Sequence, residues 1–242
     1  MSEPATTRRV WDLPVRVVHW LLVVGIAGAY VTHELGVAYF DWHRRTGYLV
    51  VVLASFRVLW GLAGTRHARF AHFVRGPRET AAYLGALVRG RASTTPGHNP
   101  IGAWMVVFFL LTLLAQGITG LFANDEIFNT GPLYGYVSDS LSLTLTSWHR
   151  RLFDWILVAV VLHVGAVIAH RVFAGHDLIG PMFSGRKPAS LVAEQDAISS
   201  SRLWLAVVLL AGLVTLLGWF VSHAPEPAVL SFDAVTGLIP RA

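Results

Sequence analysis

Histidines inside apolar stretches are the residues here that most need a chemical explanation. The chain carries eleven, and two of them, His149 and His163, stand fourteen residues apart in one hydrophobic run. At 3.6 residues per turn that spacing returns to within about 40° of whole turns, so both rings leave one helix face roughly 21 Å apart along the axis. One then lies near each edge of a hydrocarbon layer about 30 Å thick. Imidazoles in lipid are costly, which makes them candidate functional groups. Two further histidines match them in depth. With the first apolar segment running outward, His19 near its start is level with His163. The second runs back inward and opens at His43, level with His149. Neutral imidazoles facing each other from two helices can supply both axial bonds to a haem iron.

Other histidines compete for these places. His33, fourteen residues after His19, shares its face and is a rival to His43 at the outer level. His170, seven residues after His163, is a rival at the inner level. His67, His72, His98, His176 and His223 fall in loops or at segment ends and read as solvated polar residues. The plainer reading of any single histidine at a span end is an interfacial hydrogen-bonding group beside Trp and Arg anchors.

The elements that must position these rings are membrane spans. The chain is 54% hydrophobic and 14% charged, against about a quarter charged in ordinary soluble domains. Five segments, near 15–35, 43–64, 101–123, 148–172 and 203–222, approach the ~20 apolar residues that cross a bilayer core. Thirteen of the nineteen basic residues fall on one side if the N-terminus is inside. The positive-inside rule therefore predicts a cytoplasmic N-terminus and a C-terminus on the outer side of the membrane. The net charge of +5 is explained by this topology, with no nucleic-acid partner. The N-terminal MSEPATTRRVWDLP lacks the apolar core of a removable leader. The stretch PRETAAYLGALVRG (77–90) aligns Ala81, Leu84, Leu87 and Val88 and predicts a helix lying in the inner interface. The polar linker SLVAEQDAISSSR (190–202) precedes the fifth span. There is no cysteine, which excludes disulfides, thiolate clusters and covalent c-type haem.

Several of these stretches are similar to a known family. RVWDLPVRVVHW (9–20), WHRRTGYLVVVLASFRVLWGLAG (42–64), GTRHARFAHFVRGP (64–77), QGITGLF (116–122), WHRRLFDWILVAVVLHVGAVIAH (148–170) and GPMFSGRKP (180–188) resemble the bacterial cytochrome b561 family. That family includes the b-type cytochrome subunit of nickel–iron hydrogenases. The resemblance covers about residues 8–190. It implies an all-α integral membrane protein, with a four-helix transmembrane bundle in residues 1–190 holding two non-covalent b haems. Residues 191–242 would add a linker, a fifth transmembrane helix and an outer tail. It also implies His19, His43, His149 and His163 as axial ligands. The activity it implies is electron transfer between membrane quinone, as exchangeable substrate, and a redox partner such as a c-type cytochrome or a hydrogenase-like subunit.

Other residues fit around that frame. Arg57, the one charge well inside a span, lies at inner-haem depth and suits a haem propionate or, alternatively, reaches for the inner interface. Arg44, Arg45, Arg150 and Arg151 run against the charge trend; Arg44 and Arg150 are candidates for outer propionates. Gly47, Gly117 and Gly120 offer close approach of a porphyrin or a helix. Asp125 and Glu126, in the outer loop, are candidates for partner contact or proton acceptance. Nothing in the residues singles out a catalytic group. Two rival functions remain beside the electron conduit. One is a stand-alone superoxide:quinone-type oxidoreductase; the other is a transporter whose intramembrane histidines carry protons or metal.

Overall fold

A computed structural model of the chain describes residues 6–173 and 175–225. The first residues of the expected leaderless N-terminus and most of the expected outer tail, Arg241 included, lie outside the described residues. The elements are strand β1 (Thr7–Arg9), helices α1 (Leu13–Glu34), α2 (Phe40–Ala63), α3 (Phe70–Phe73), α4 (Pro77–Val88), α5 (Pro100–Leu121), α6 (Asp139–Phe173) and α7 (Gly180–Ser184), strand β2 (Arg186–Pro188) and helix α8 (Leu203–Ser222). Helices α1, α2, α5, α6 and α8 are long and apolar enough to cross a membrane.

Local chemistry sets the helix ends. Asp12 caps α1 by accepting the Val15 N–H at 2.7 Å, with Pro14 in the first turn. Asn99 does the same for α5 through the Gly102 N–H, and Pro100 follows it. Both pairs combine a side-chain oxygen for an orphan amide with a proline that needs none. Helix α6 starts at Asp139, well before residue 148. Its first turns are rich in serine and threonine, and two of the hydroxyls, those of Ser142 and Thr146, bond to the end of α5 and the loop after it. Ser142 Oγ donates to the Phe122 carbonyl at 2.6 Å, and Thr146 Oγ1 accepts the Asn124 N–H at 2.9 Å.

Helix α2 is the centre of the packing. It contacts α1 on one side, α5 on another and α8 on a third, while α5 packs on α6 and α4 lies against α5. Its Phe56 and Trp60 are 2% and 0% exposed in a core with Val15, Val18 and Ala206. Val50 and Ala54 form a second core with Leu113 and Ile156. Gly117 lets α5 close on α2, because a Cβ there would run into the Val51 side chain. Helices α1 and α6 face each other chiefly through rings, for example Tyr30 stacked on Phe153 with centroids 5.6 Å apart.

One end of the helices carries a cap. Strands β1 and β2 form an antiparallel ribbon, a small addition to a fold whose spans are all helical. Asp12, 1% exposed, accepts the Trp60 Nε1–H at 3.0 Å and the Thr65 hydroxyl proton, besides capping α1. The 190–202 linker is strapped to the same end: Ile198 N–H donates to the Arg9 carbonyl at 3.0 Å, and Arg66 pairs with Asp196 at 2.7 Å. At the far end Tyr136 donates to the His223 carbonyl at 3.0 Å, so α8 finishes beside the α5–α6 loop.

Asp12→Ala strands two buried donors and removes an N-cap. It should lower the thermal unfolding free energy of the detergent-purified chain by about 3 kcal/mol or more. Leu13→Ala, at the neighbouring 40% exposed position, serves as the control, and equal losses from both would remove Asp12 from its structural role.

Candidate functional site

At the α5–α6 loop end, His43 of α2 and His149 of α6 face each other with ring centroids 6.2 Å apart and planes at 84°. Each ring is held from a neighbouring helix. His43 Nδ1–H donates to the Ala29 carbonyl of α1 at 2.8 Å, and His149 Nδ1–H donates to the Gln116 carbonyl of α5 at 2.8 Å. A carbonyl only accepts, so Nδ1 carries the proton in both rings and Nε2 keeps its lone pair, the state a metal requires. Gly120 makes the recess for one ring, since a Cβ there would come within 2.7 Å of His149 Cε1. Beside the pair lies a cavity of about 610 Å³ whose wall includes Gly47, Gln116, Gly120 and Phe153, with Arg44 and Arg150 also on it.

At the capped end, His19 of α1 and His163 of α6 lie with centroids 6.4 Å apart and planes at 58°. Trp20 and Phe109 stand edge-on to these rings. His19 Nδ1 is buried with no hydrogen-bond partner among the described residues. Two imidazoles on one metal, with bonds of about 2 Å on each side, place their centroids roughly 6 Å apart. Both pairs meet that spacing. Among the described residues no three or more His, Asp or Glu side chains converge on a metal position. Each pair thus offers two nitrogens, which suits an iron whose other ligands come from a porphyrin. The donor set, the cavity beside His43 and His149, and the Gly120 recess fit haem.

The rival histidines are placed differently. The His33 ring lies 5.9 Å from that of His43 and lines the same cavity, but among the described residues no hydrogen bond fixes it. His170 donates Nδ1–H to the Ala166 carbonyl one turn back on its own helix.

Arg57 is 6% exposed, so it does not reach for water. Its Nη1 donates to the Ala68 carbonyl at 3.2 Å, and the guanidinium lies over Phe70 and Phe73 at 5.6 and 5.9 Å. Gly61 makes room for that Phe70 ring on α2. Arg57 Nη2 is buried without a partner among the described residues. Arg44 pairs with the exposed Asp41 at 2.7 Å beside the cavity at His43 and His149, and Arg45 lies over Trp42.

Two expectations need correction. His67 and His98 are not solvated loop residues. His67 is 9% exposed and donates Nε2–H to the Asp196 carbonyl at 2.7 Å. The His98 ring is wedged between Trp11 and Phe73, with centroids 4.7 and 4.5 Å away. Burial, reinforced by the charges of Arg57 and Lys187, pushes the His98 pKa down to about 3. Asp125 is an unsuitable proton acceptor. Burial alone would raise its pKa, but the N–H groups of Asn129, Ile127 and Phe128 outweigh it and hold the carboxyl down to about 2. Asp12 and Gln116 were missed altogether. An Asp-Leu-Pro helix start was the available signal for the first; nothing local marks the second.

Residues 10–185 match the family model described as prokaryotic cytochrome b561. The probable Ni/Fe-hydrogenase B-type cytochrome subunit of Cupriavidus necator is 25% identical over 210 residues, covering 73% of this chain and 85% of that protein. The probable Ni/Fe-hydrogenase 1 B-type cytochrome subunit of Escherichia coli K12 is 26% identical over 220 residues, covering 76% and 92%. No solved structure gives a significant match.

Gly120→Ala drives a methyl group into the His149 ring and should lower stability by about 1–3 kcal/mol in thermal unfolding. Gly212→Ala, where a Cβ meets nothing within 4 Å, should instead stabilise by up to about 1 kcal/mol. Equal responses at the two positions would rule out the ring recess.

Proposed function

The chain belongs to the prokaryotic cytochrome b561 family, and from that membership we propose that it relays electrons between membrane quinone and a redox partner through two b haems. It is a multi-pass membrane b-type cytochrome of electron transfer. In this proposal a four-helix bundle of α1, α2, α5 and α6 holds the haems, with His19 and His163 as axial ligands of an inner one and His43 and His149 of an outer one. Residues 1–190 carry this bundle, and 191–242 add the strap, α8 and the tail.

The observation that carries the reading is the pair of facing imidazoles at each end, 6.4 and 6.2 Å between centroids. The main-chain locks on His43 and His149 favour them over the unfixed His33 as the outer ligands. When bound, haem b supplies one-electron Fe(III)/Fe(II) chemistry. The protein's part is to hold and isolate. Ala29 and Gln116 carbonyls keep the ligand nitrogens unprotonated, Gly120 admits the His149 ring, and the apolar helices keep water away. The partnerless Arg57 Nη2 suits an inner propionate, and Arg44 and Arg150 at the outer rim suit the other haem. Lys and Arg asymmetry supports a cytoplasmic N-terminus in the inner membrane, which puts the capped end inside. The relatives are hydrogenase subunits by name; the partner we propose is a hydrogenase-like subunit or a c-type cytochrome on the outer side.

A pyridine haemochrome assay on the purified chain should give two b haems per chain; none would overturn the central reading, and one would break the two-pair scheme. His163→Ala should remove the inner haem and His43→Ala the outer, whereas His33→Ala should leave both. Loss of the outer haem in His33→Ala alone would transfer that ligand role to His33.

A further inference from the structure

From the end of α2 into the start of α4 the chain carries a basic group at every third position: Arg66, Arg69, His72, Arg75 and Arg78. This stretch belongs to the connection between the ends of two spans, so it lies at the membrane surface whichever way the chain is oriented. Arg66, His72 and Arg75 come together on the wall of a second cavity, of about 330 Å³, whose wall also includes Thr95, His98 and Pro100. Acids to answer these cations are few. Asp196 on the same wall takes Arg66 at 2.7 Å, and Glu79 stands 3.9 Å from Arg75 with both side chains exposed. Arg75 uses one guanidinium N–H on the His72 carbonyl, at 3.3 Å, and keeps others for a ligand. Arg69 Nε is buried with no hydrogen-bond partner among the described residues. Lys187, 8% exposed, adds a cation behind Thr95, whose carbonyl takes an ammonium proton at 3.3 Å. Desolvation, followed by the charges of Arg69, Arg66 and Arg75, holds the His72 pKa below its ordinary value. The cavity is therefore cationic, and low-dielectric walls focus such a field on whatever enters.

The same wall runs into an apolar track. Pro100 begins a line on α5 that continues through Trp104, Phe108 and Leu111, spaced by four, four and three residues and therefore on one helix face. Trp104 is tied to the cavity wall, its indole N–H donating to the Arg75 carbonyl at 3.1 Å. Indoles at the end of a span are usual interface anchors. Trp104, Phe108 and Leu111 are 44%, 40% and 65% exposed, so this face is open to lipid chains. We propose that the cavity binds the phosphodiester of an anionic phospholipid at Arg75, within the positive field of Arg66, Arg69 and Lys187, with an acyl chain laid along Trp104, Phe108 and Leu111. A guanidinium fork suits phosphate oxygens, and basic pockets between spans are settings in which anionic headgroups bind. A free phosphate would use the cations but leave the adjoining apolar track without a role. Neither haem enters this site.

Thermal unfolding of the detergent-purified full-length protein, titrated with lipid in mixed micelles, tests the site. Dioleoyl phosphatidylglycerol should raise the melting temperature saturably, whereas dioleoyl phosphatidylcholine and inorganic phosphate should not. Arg75→Gln should raise the half-saturating mole fraction of phosphatidylglycerol about fivefold, the factor for one basic residue beside anionic lipid. Arg89→Gln, exposed at the other end of α4, should leave that fraction unchanged. Equal shifts with the two lipids overturn the proposal. Equal losses in the two variants also overturn it, since they would mean diffuse surface charge. A full shift from inorganic phosphate alone would mean an anion site without lipid, and overturns it too. Should Arg75→Gln fail to fold, native mass spectrometry of the wild-type protein decides: preferential retention of phosphatidylglycerol supports the site, and equal retention of the two lipids, offered in equal amounts, overturns it. None of these outcomes bears on the haem count.

Discussion

A single buried carboxylate ties together the elements that set the depth of the spans. Asp12 ends the extended N-terminal segment, caps α1 and receives protons from Trp60 near the end of α2 and Thr65 just beyond it. A carboxylate out of water must have its lone pairs taken up, so the three donors and the aspartate are required together. The start of α1 and the end of α2 are thereby held at one level. His19 lies two turns into α1, so the level of Asp12 sets its depth relative to α6. The ribbon and the strap, by bonding to the residues beside Asp12, brace the same end.

The histidine pairs have the opposite economy. The rings of His43 and His149 have one nitrogen satisfied by a neighbouring helix and one held free of a proton. A helix carbonyl is normally taken by the amide four residues on, but its second lone pair can accept a ring N–H that comes close enough. Gly120 provides that closeness at His149. The result is a rigid imidazole whose Nε2 keeps its lone pair, which at His149 takes the Gln116 side-chain N–H at 3.2 Å. At the other end the polarity is less fully matched. His19 Nδ1, Arg57 Nη2 and His98 Nδ1 are all buried without partners among the described residues. Buried donors left open are uncommon, and a group bearing carboxylates would answer them.

Aromatic residues do much of the spacing between these polar groups. Phe70 and Phe73 sandwich neither histidine pair but take the Arg57 guanidinium, a contact that replaces hydration for a cation in an apolar place. Phe73 and Trp11 enclose His98 in the same way. The segment between α2 and α4 therefore behaves as part of the core at the capped end, although its sequence reads as a basic loop.

How much of this was legible in the residues depends on the range of the interaction involved. The spans follow from apolar run length. The levels of His19, His43, His149 and His163 follow from helical rise, since a helix converts sequence spacing directly into depth. The start of α6 was missed because its serines and threonines look solvent-facing until the α5–α6 loop is present to accept them. His98 looked solvated because the rings enclosing it come from segments before α1 and before α4. The residues alone thus mark the apolar runs and the position of each histidine along its helix. Only the tertiary structure decided how each is held: His43 by Ala29, His149 by Gln116 and Gly120, Arg57 by Phe70 and Phe73. Those contacts cross between helices, and no periodicity within one segment encodes which backbone carbonyl or ring a neighbouring helix will present.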